Sequence, residues 1–220
     1  MKPINLAMLS ILLLLICGCC GCSDFGNAVK GSGVSMTEDR ELDAFSGIEV
    51  AGAFCVSVTC GREQSFTITG DDNIVPLILT EVRGKTLHVK SEEEISTDTP
   101  LTIVINCNSL DGFRAFGAVS ADITEVDSDR IEIEINGTGA IAASGRARAV
   151  DLSVAGSASV DTNSLEAERV SVTINGAGTA GVHATSAVDA TINGVGTIEY
   201  SGDPESVSQN VSGLGVIRKK

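Results

Sequence analysis

Tryptophan is absent from this chain of 220 residues, and tyrosine occurs once. With only six Phe beside that Tyr, a core cannot be built from bulky aromatic rings. The same shortage removes the usual platform for pyranose rings, which stack on the amphipathic faces of Trp and Tyr. Any glycan contact must then run through Asn, Asp, Ser and Thr. Positive charge is also scarce: 15 Lys and Arg face 29 Asp and Glu, a net charge of −14. Phosphate backbones are bound by clustered cations, so nucleic acid is excluded as a partner. Proline is limited to four residues, and no helical periodicity of useful length appears. What is plentiful is glycine, 24 residues, and small aliphatic side chains within a 43% apolar fraction. Such material suits thin, repeated layers.

The first segment reads as an export signal. After Met1 and Lys2, Leu6 to Ile16 is almost wholly apolar, the length of a signal-peptide core and too short to span a bilayer. It ends in Ile16-Cys17-Gly18-Cys19, which resembles the lipobox of prokaryotic lipoproteins. That resemblance implies residues 1–18 as leader and Cys19 as the lipid-bearing residue, with Cys22 the alternative. Thioether-linked lipid plus N-acylation supplies the several chains that stable anchoring requires. An ordinary secretory signal with incidental cysteines is the competing reading. Residues 19–40, rich in Gly, Ser and Asn at their start, are expected to form a flexible tether to the membrane.

From residue 131 one unit recurs: alternating apolar residues, then Gly-x-Gly or a near variant. Its copies include Ile133-Glu134-Ile135-Asn136-Gly137-Thr138-Gly139, Val172-Thr173-Ile174-Asn175-Gly176-Ala177-Gly178 and Ala190-Thr191-Ile192-Asn193-Gly194-Val195-Gly196. The first glycines fall at 137, 156, 176, 194 and 213, intervals of 19, 20, 18 and 19. A fixed period of this size marks a solenoid, and the period-2 alternation makes its units strands. The expected architecture is all-β, a parallel β-helix with coils of about 20 residues. Stacking places Ile135, Val154, Ile174, Ile192 and Val211 in an inward column. Glu134, Ser153, Thr173, Thr191 and Asn210 form an outward one. Asn175 and Asn193 are positioned for an amide ladder. Each glycine is read as a sharp turn needing positive φ.

Upstream, Ile48 to Phe54 has the same form and Phe113 to Gly117 is a degenerate copy; Thr67 to Ile74 is a further candidate. Asn73 to Val82 suggests a short helical turn limited by Pro76. No linker interrupts residues 41–220, which are read as one domain.

At this point the chain resembles the family of the putative auto-transporter adhesin, head GIN domain. The resemblance is carried by Phe45-Ser46-Gly47-Ile48-Glu49-Val50, Gly70-Asp71-Asp72-Asn73, and the serial Ile-Asn-Gly-x-Gly units ending in Gly213-Leu214-Gly215-Val216-Ile217. It implies a right-handed parallel β-helix in an exported or lipid-anchored protein, and it supplies no catalytic residues.

Motifs that could carry chemistry are weak. Gly176-Ala177-Gly178-Thr179-Ala180-Gly181 matches G-x-G-x-x-G, but no helix follows it, so repetition accounts for the match and no nucleotide is expected. Glu132 and Glu134 share a strand face, with Asp151 and Asp189 in the same column; paired carboxylates could act as acid and base. No Lys or Arg is placed in that column, and a solvated acidic face is the plainer reading. Asp71 and Asp72 sit in an apparent turn, where Asp favours backbone hydrogen bonds. His88 and His183 are read as surface residues; no Cys/His spacing suggests zinc. No metal, cofactor or catalytic residue is assigned.

Cys60 follows Val56 and Val58 at period 2, and Cys107 follows Ile103 and Ile105 likewise, so both fall on the inward face at corresponding strand ends. Export permits a disulfide between them; buried free thiols are the alternative. The functional expectation is a non-enzymatic, lipid-anchored cell-surface or envelope module contacting a protein or glycan. The alternative is a β-helix enzyme, hydrolase or lyase, acting on polysaccharide.

Overall fold

The computed structural model describes residues 28–220. Cys19 and Cys22, with the leader and the start of the expected tether, lie outside these residues. Alternating apolar residues become extended chain nearly throughout, giving thirteen strands, one turn of 3-10 helix at Val75–Leu77, and no α-helix among the described residues. The fold is all-β.

In the repeats the expected stacking is present. β10 (Ala177–Ile192) pairs in parallel with β9 (Gly112–Ile174) on one side and with β11 (Val195–Ser201) and β12 (Ser206–Val211) on the other. β13 (Leu214–Lys219) closes the stack, parallel to β11. The registers Ala177↔Ser157, Ala177↔Val195 and Val195↔Leu214 set successive rungs one repeat apart. Ile135, Val154, Ile174 and Ile192 are buried to 2% exposure or less. Val211, last in that column, is 43% exposed because no further rung covers it.

The glycine column has a different cause from the one expected. A Cβ on Gly137, Gly156, Gly194 or Gly213 would lie 2.1 Å from the carbonyl oxygen of the glycine one rung earlier; at Gly176 it would lie 2.2 Å from Gly156 O. Several of these glycines do have positive φ, but Gly176 and Gly194 do not. Close approach of stacked backbones, more than turning, is what excludes every larger side chain there.

β3 (Gly47–Thr59) is a rung too. It pairs in parallel with the start of β9, Ile48↔Phe113 through Gly52↔Gly117 to Thr59↔Thr124. The two upstream copies are therefore direct neighbours despite the long segment between them. That segment departs from the expected all-parallel arrangement. β4 (Ser65–Asp71) is antiparallel to both β2 (Ser35–Asp39) and β8 (Thr102–Asn106), and β5 (Ile78–Arg83) is antiparallel to β6 (Thr86–Ser91). The β5–β6 connection is only Gly84-Lys85, with Gly84 at φ 66°. Two residues can close a hairpin but cannot carry a parallel crossover. Thr67 to Ile74, read as a repeat copy, is thus part of an antiparallel end layer.

Part of the stretch read as tether belongs to this layer as well. β2 pairs with β4, and β1 (Val29–Lys30) pairs in parallel with β7 (Ile95–Ser96). Local composition suggests flexibility from residue 19 to 40, but backbone partners far along the chain hold residues 29–39.

Candidate functional site

The outer surface of the rungs offers the chemistry. Two columns of exposed charge run across three rungs: Asp127, Arg146 and Glu166, and beside them Asp129, Arg148 and Glu168. They flank an open groove of about 520 Å³ floored by Ala147 and Ala167. Arg146 reaches Asp127 at 3.3 Å and Arg148 reaches Asp129 at 3.2 Å. All four side chains are well solvated, so these pairs contribute little to stability and leave both signs of charge available to a ligand. Ser128 lies between the two columns, and its hydroxyl is buried without a hydrogen-bond partner. Just upstream of it, Glu125 adopts φ 58°, and its carboxylate takes a two-pronged contact from Arg62 at 3.0 and 3.2 Å. A non-glycine residue at positive φ costs energy and is uncommon. The segment from Glu125 to Ser128 is therefore both strained and incompletely hydrogen-bonded.

The carboxylates singled out in the sequence sit elsewhere, and three of the four are paired with arginine. Arg114 donates to Glu132 at 3.0 Å and lies 3.2 Å from Glu134. Arg130 contacts Asp151 at 2.8 Å. The sequence places no cation in this column, since Arg114 is 18 residues from Glu132 and only rung stacking brings them together. Asp189 stands opposite Ser171.

Asp71 ends β4 and opens the expected turn through Asp72 to Ile74, whose N–H donates to the Asp71 carbonyl at 2.9 Å. Asp71 is fully buried; it accepts from the Gly33 backbone N–H at 3.1 Å and from the Thr97 hydroxyl. Asn73 donates to the Lys30 carbonyl at 2.8 Å and accepts from the Ser32 N–H at 2.9 Å. The Gly70-Asp71-Asp72-Asn73 motif is a clasp for the incoming chain. Neither histidine is freely exposed. His88 lies 3.1 Å from Glu49 and His183 lies 2.9 Å from the Ser201 hydroxyl, each bridging adjacent strands. Among the described residues, no three acidic, thiol or imidazole groups converge as a metal site.

The expected Asn175–Asn193 amide ladder forms, and a hydroxyl pair not expected from the sequence lies on neighbouring rungs. Asn193 donates to Asn175 at 2.9 Å, and the Ser159 and Thr179 hydroxyls meet at 3.1 Å. Asn163 donates to Asp161 from its backbone at 3.1 Å and from its amide at 2.7 Å, holding the Asp161 carboxyl below its usual range. At the carboxyl-terminal end, β12 and β13 carry exposed Val207, Val211, Leu214 and Val216. Residues 206–220 include Arg218, Lys219 and Lys220 and no acidic side chain. The groove itself is not legible in the sequence: its members come from three repeats, and each alone is an ordinary exposed charge.

The family described as Putative auto-transporter adhesin, head GIN domain, matches residues 44–204. A crystal structure of a putative adhesin from Bacteroides fragilis is 24% identical, with 88% of this chain and 100% of that one covered at a TM-score of 0.69. A putative adhesin from Parabacteroides merdae is 19% identical over 89% of this chain and 100% of its own, TM-score 0.57. A putative lipid binding protein from Parabacteroides distasonis is 22% identical over 88% and 100%, TM-score 0.55. At these identities the likeness establishes a shared fold. No curated protein matches the chain.

Proposed function

The chain belongs to the head GIN domain family of putative auto-transporter adhesins, and from that premise we propose that it is a non-enzymatic adhesion module. It is exported and held at the cell envelope by lipid on Cys19. The observation that carries the reading is the groove at Arg146 and Arg148: solvated charges of both signs, repeated across rungs. Such a surface suits a partner with matching charges, a protein face or a charged glycan. Several anchored copies would multiply weak contacts through avidity. The stack itself is read as a right-handed β-solenoid, since parallel crossovers of L-residues take that hand.

The test is binding of the purified protein to a panel of envelope proteins, host-surface proteins and glycans. Arg146→Glu combined with Arg148→Glu should weaken the captured interaction at least tenfold with an unchanged melting temperature. Binding that is indifferent to this double variant would move the contact surface off the groove. Mass spectrometry of the mature amino terminus should find lipid on Cys19; an unmodified terminus would sink the anchoring proposal. The polysaccharide-cleaving alternative wins if the protein depolymerises an acidic polysaccharide and Glu132→Ala with Glu134→Ala abolishes that activity.

A further inference from the structure

Three cysteines lie in the body of the fold, and two of them face each other. β3 and β8 run in parallel, their register ending at Thr59↔Asn106, so the next residue on each strand is a cysteine. The backbone beyond the strands stays in place. The Cys107 N–H donates to Thr59 O at 3.0 Å, the Cys60 N–H to Thr124 O at 3.0 Å, and the Arg62 N–H to Cys107 O at 3.1 Å. Both side chains point inward, at 1% and 0% exposure, and their sulfurs are 3.9 Å apart. Adjacent strands are spaced about 4.7–4.9 Å apart, within the Cα separation of roughly 4.4–6.8 Å that a disulfide spans. Small side-chain rotations would bring the sulfurs to bonding distance. Cys55 cannot compete, because it is exposed on the outward face of β3.

We propose that Cys60 and Cys107 form a disulfide in the mature protein. The bond locks the antiparallel end layer onto the parallel stack: β4, β5, β6, β7 and β8 all fall between the two cysteines. It would thereby limit how far that layer can open when the surface is loaded by a bound partner. The chemistry is thiol–disulfide exchange with an oxidised dithiol catalyst. One cysteine, as thiolate, attacks the catalyst's disulfide and expels one of its thiols. The second cysteine, also deprotonated, then attacks the mixed disulfide. The catalyst leaves as a dithiol, having taken up two electrons and two protons. Exchange must precede final packing, since the folded domain buries both sulfurs. The inference rests on export to an oxidising compartment, as proposed above.

The experiment is alkylation in denaturant without reductant, followed by peptide mapping, on full-length protein isolated from membranes. The expected result is a cross-linked peptide pair containing Cys60 and Cys107, with Cys55 alkylated. A second arm reduces the same protein, unfolds it in urea and refolds it in a glutathione redox buffer. A cross-link in both arms supports the proposal. A cross-link only after refolding supports the pairing and overturns the export premise. Alkylation of all three body cysteines in both arms overturns the pairing. Reductant should lower the melting temperature of the oxidised protein by roughly 5–15 °C and leave the Cys60→Ala, Cys107→Ala double variant unmoved. An equal response from both proteins also counts against the bond.

Discussion

Between Phe45 and Thr124 the interior contains Phe45, Phe54, Phe66 and Phe113 among long aliphatic side chains; from Ile141 to Ile198 it is filled by Ala, Val, Ile and Leu with one threonine. The first region mixes strand directions and closes its own end with antiparallel layers. The second is parallel throughout and finishes on an uncovered rung. Large rings fill an interior bounded by irregular connections. A regular stack needs only side chains that repeat at one height, and it tolerates no Cβ where two backbones approach. Stability therefore rests on bulky packing and covalent or polar clasps at one end, and on strict repetition at the other.

Charge burial is the harshest way to break that contrast. Ile174→Asp places an unpaired carboxylate in the centre of the stack and should prevent folding, a loss of about 4 kcal/mol or more. Val211→Asp, at the open end of the same column, should cost under about 1 kcal/mol because its side chain already meets water. Urea unfolding of both variants checks this; equal losses would show that the terminal rung is covered in solution.

Glycine substitutions give the next largest effect. Gly176→Ala sets a Cβ against the Gly156 carbonyl and should cost roughly 3–4 kcal/mol. Gly61→Ala meets nothing within 4 Å and carries only the penalty of its positive φ, 69°, about 1–2 kcal/mol. A similar melting shift for both would mean that conformation, rather than backbone approach, selects the glycines of the stack.

A third variant sharpens the account of the clasp. Asp71→Ala removes the acceptor of the Gly33 N–H and the Thr97 hydroxyl, breaking two part-buried hydrogen bonds to a charged group at a cost of about 1–3 kcal/mol. Limited proteolysis should then cut between residues 28 and 40 several-fold faster while the repeats stay protected. Uniform acceleration across the chain would contradict a local role.

Acid titration yields the smallest effect. The Asp161 carboxyl is held down by the Asn163 backbone and amide donors, so its folded pKa lies below its unfolded value of about 3.9. Its contribution is present above that pH and is lost as pH falls through the folded pKa. The residue is exposed on the surface, so screening keeps the contribution under about 0.5 kcal/mol. Asp161→Asn should lower stability by no more than that amount at about pH 7 and converge with the parent protein as pH falls through the folded pKa, flattening the acid limb of the curve. A larger change at neutral pH would assign Asp161 a further role.

Much of the fold is legible in the residue order. Period-2 alternation is a property of neighbouring residues, so sequence alone turns Ile174 inward and Thr173 outward. The spacing near 19 residues stacks those alternations into columns, including the Asn175–Asn193 ladder, and alternation alone sets Cys60 and Cys107 on a shared inward face. Tertiary structure decided which backbone lies against which when the spacing breaks down. β3 pairs with the start of β9 across an intervening antiparallel excursion, Arg114 reaches Glu132 and Glu134, and Asp71 clasps a segment that reads as tether. It also assembled the Arg146–Arg148 groove, because exposed charges acquire meaning only from the neighbours that stacking supplies. Alternation is local, whereas pairing closes long loops, and the cost of closure grows too slowly with loop length to mark a partner in the sequence.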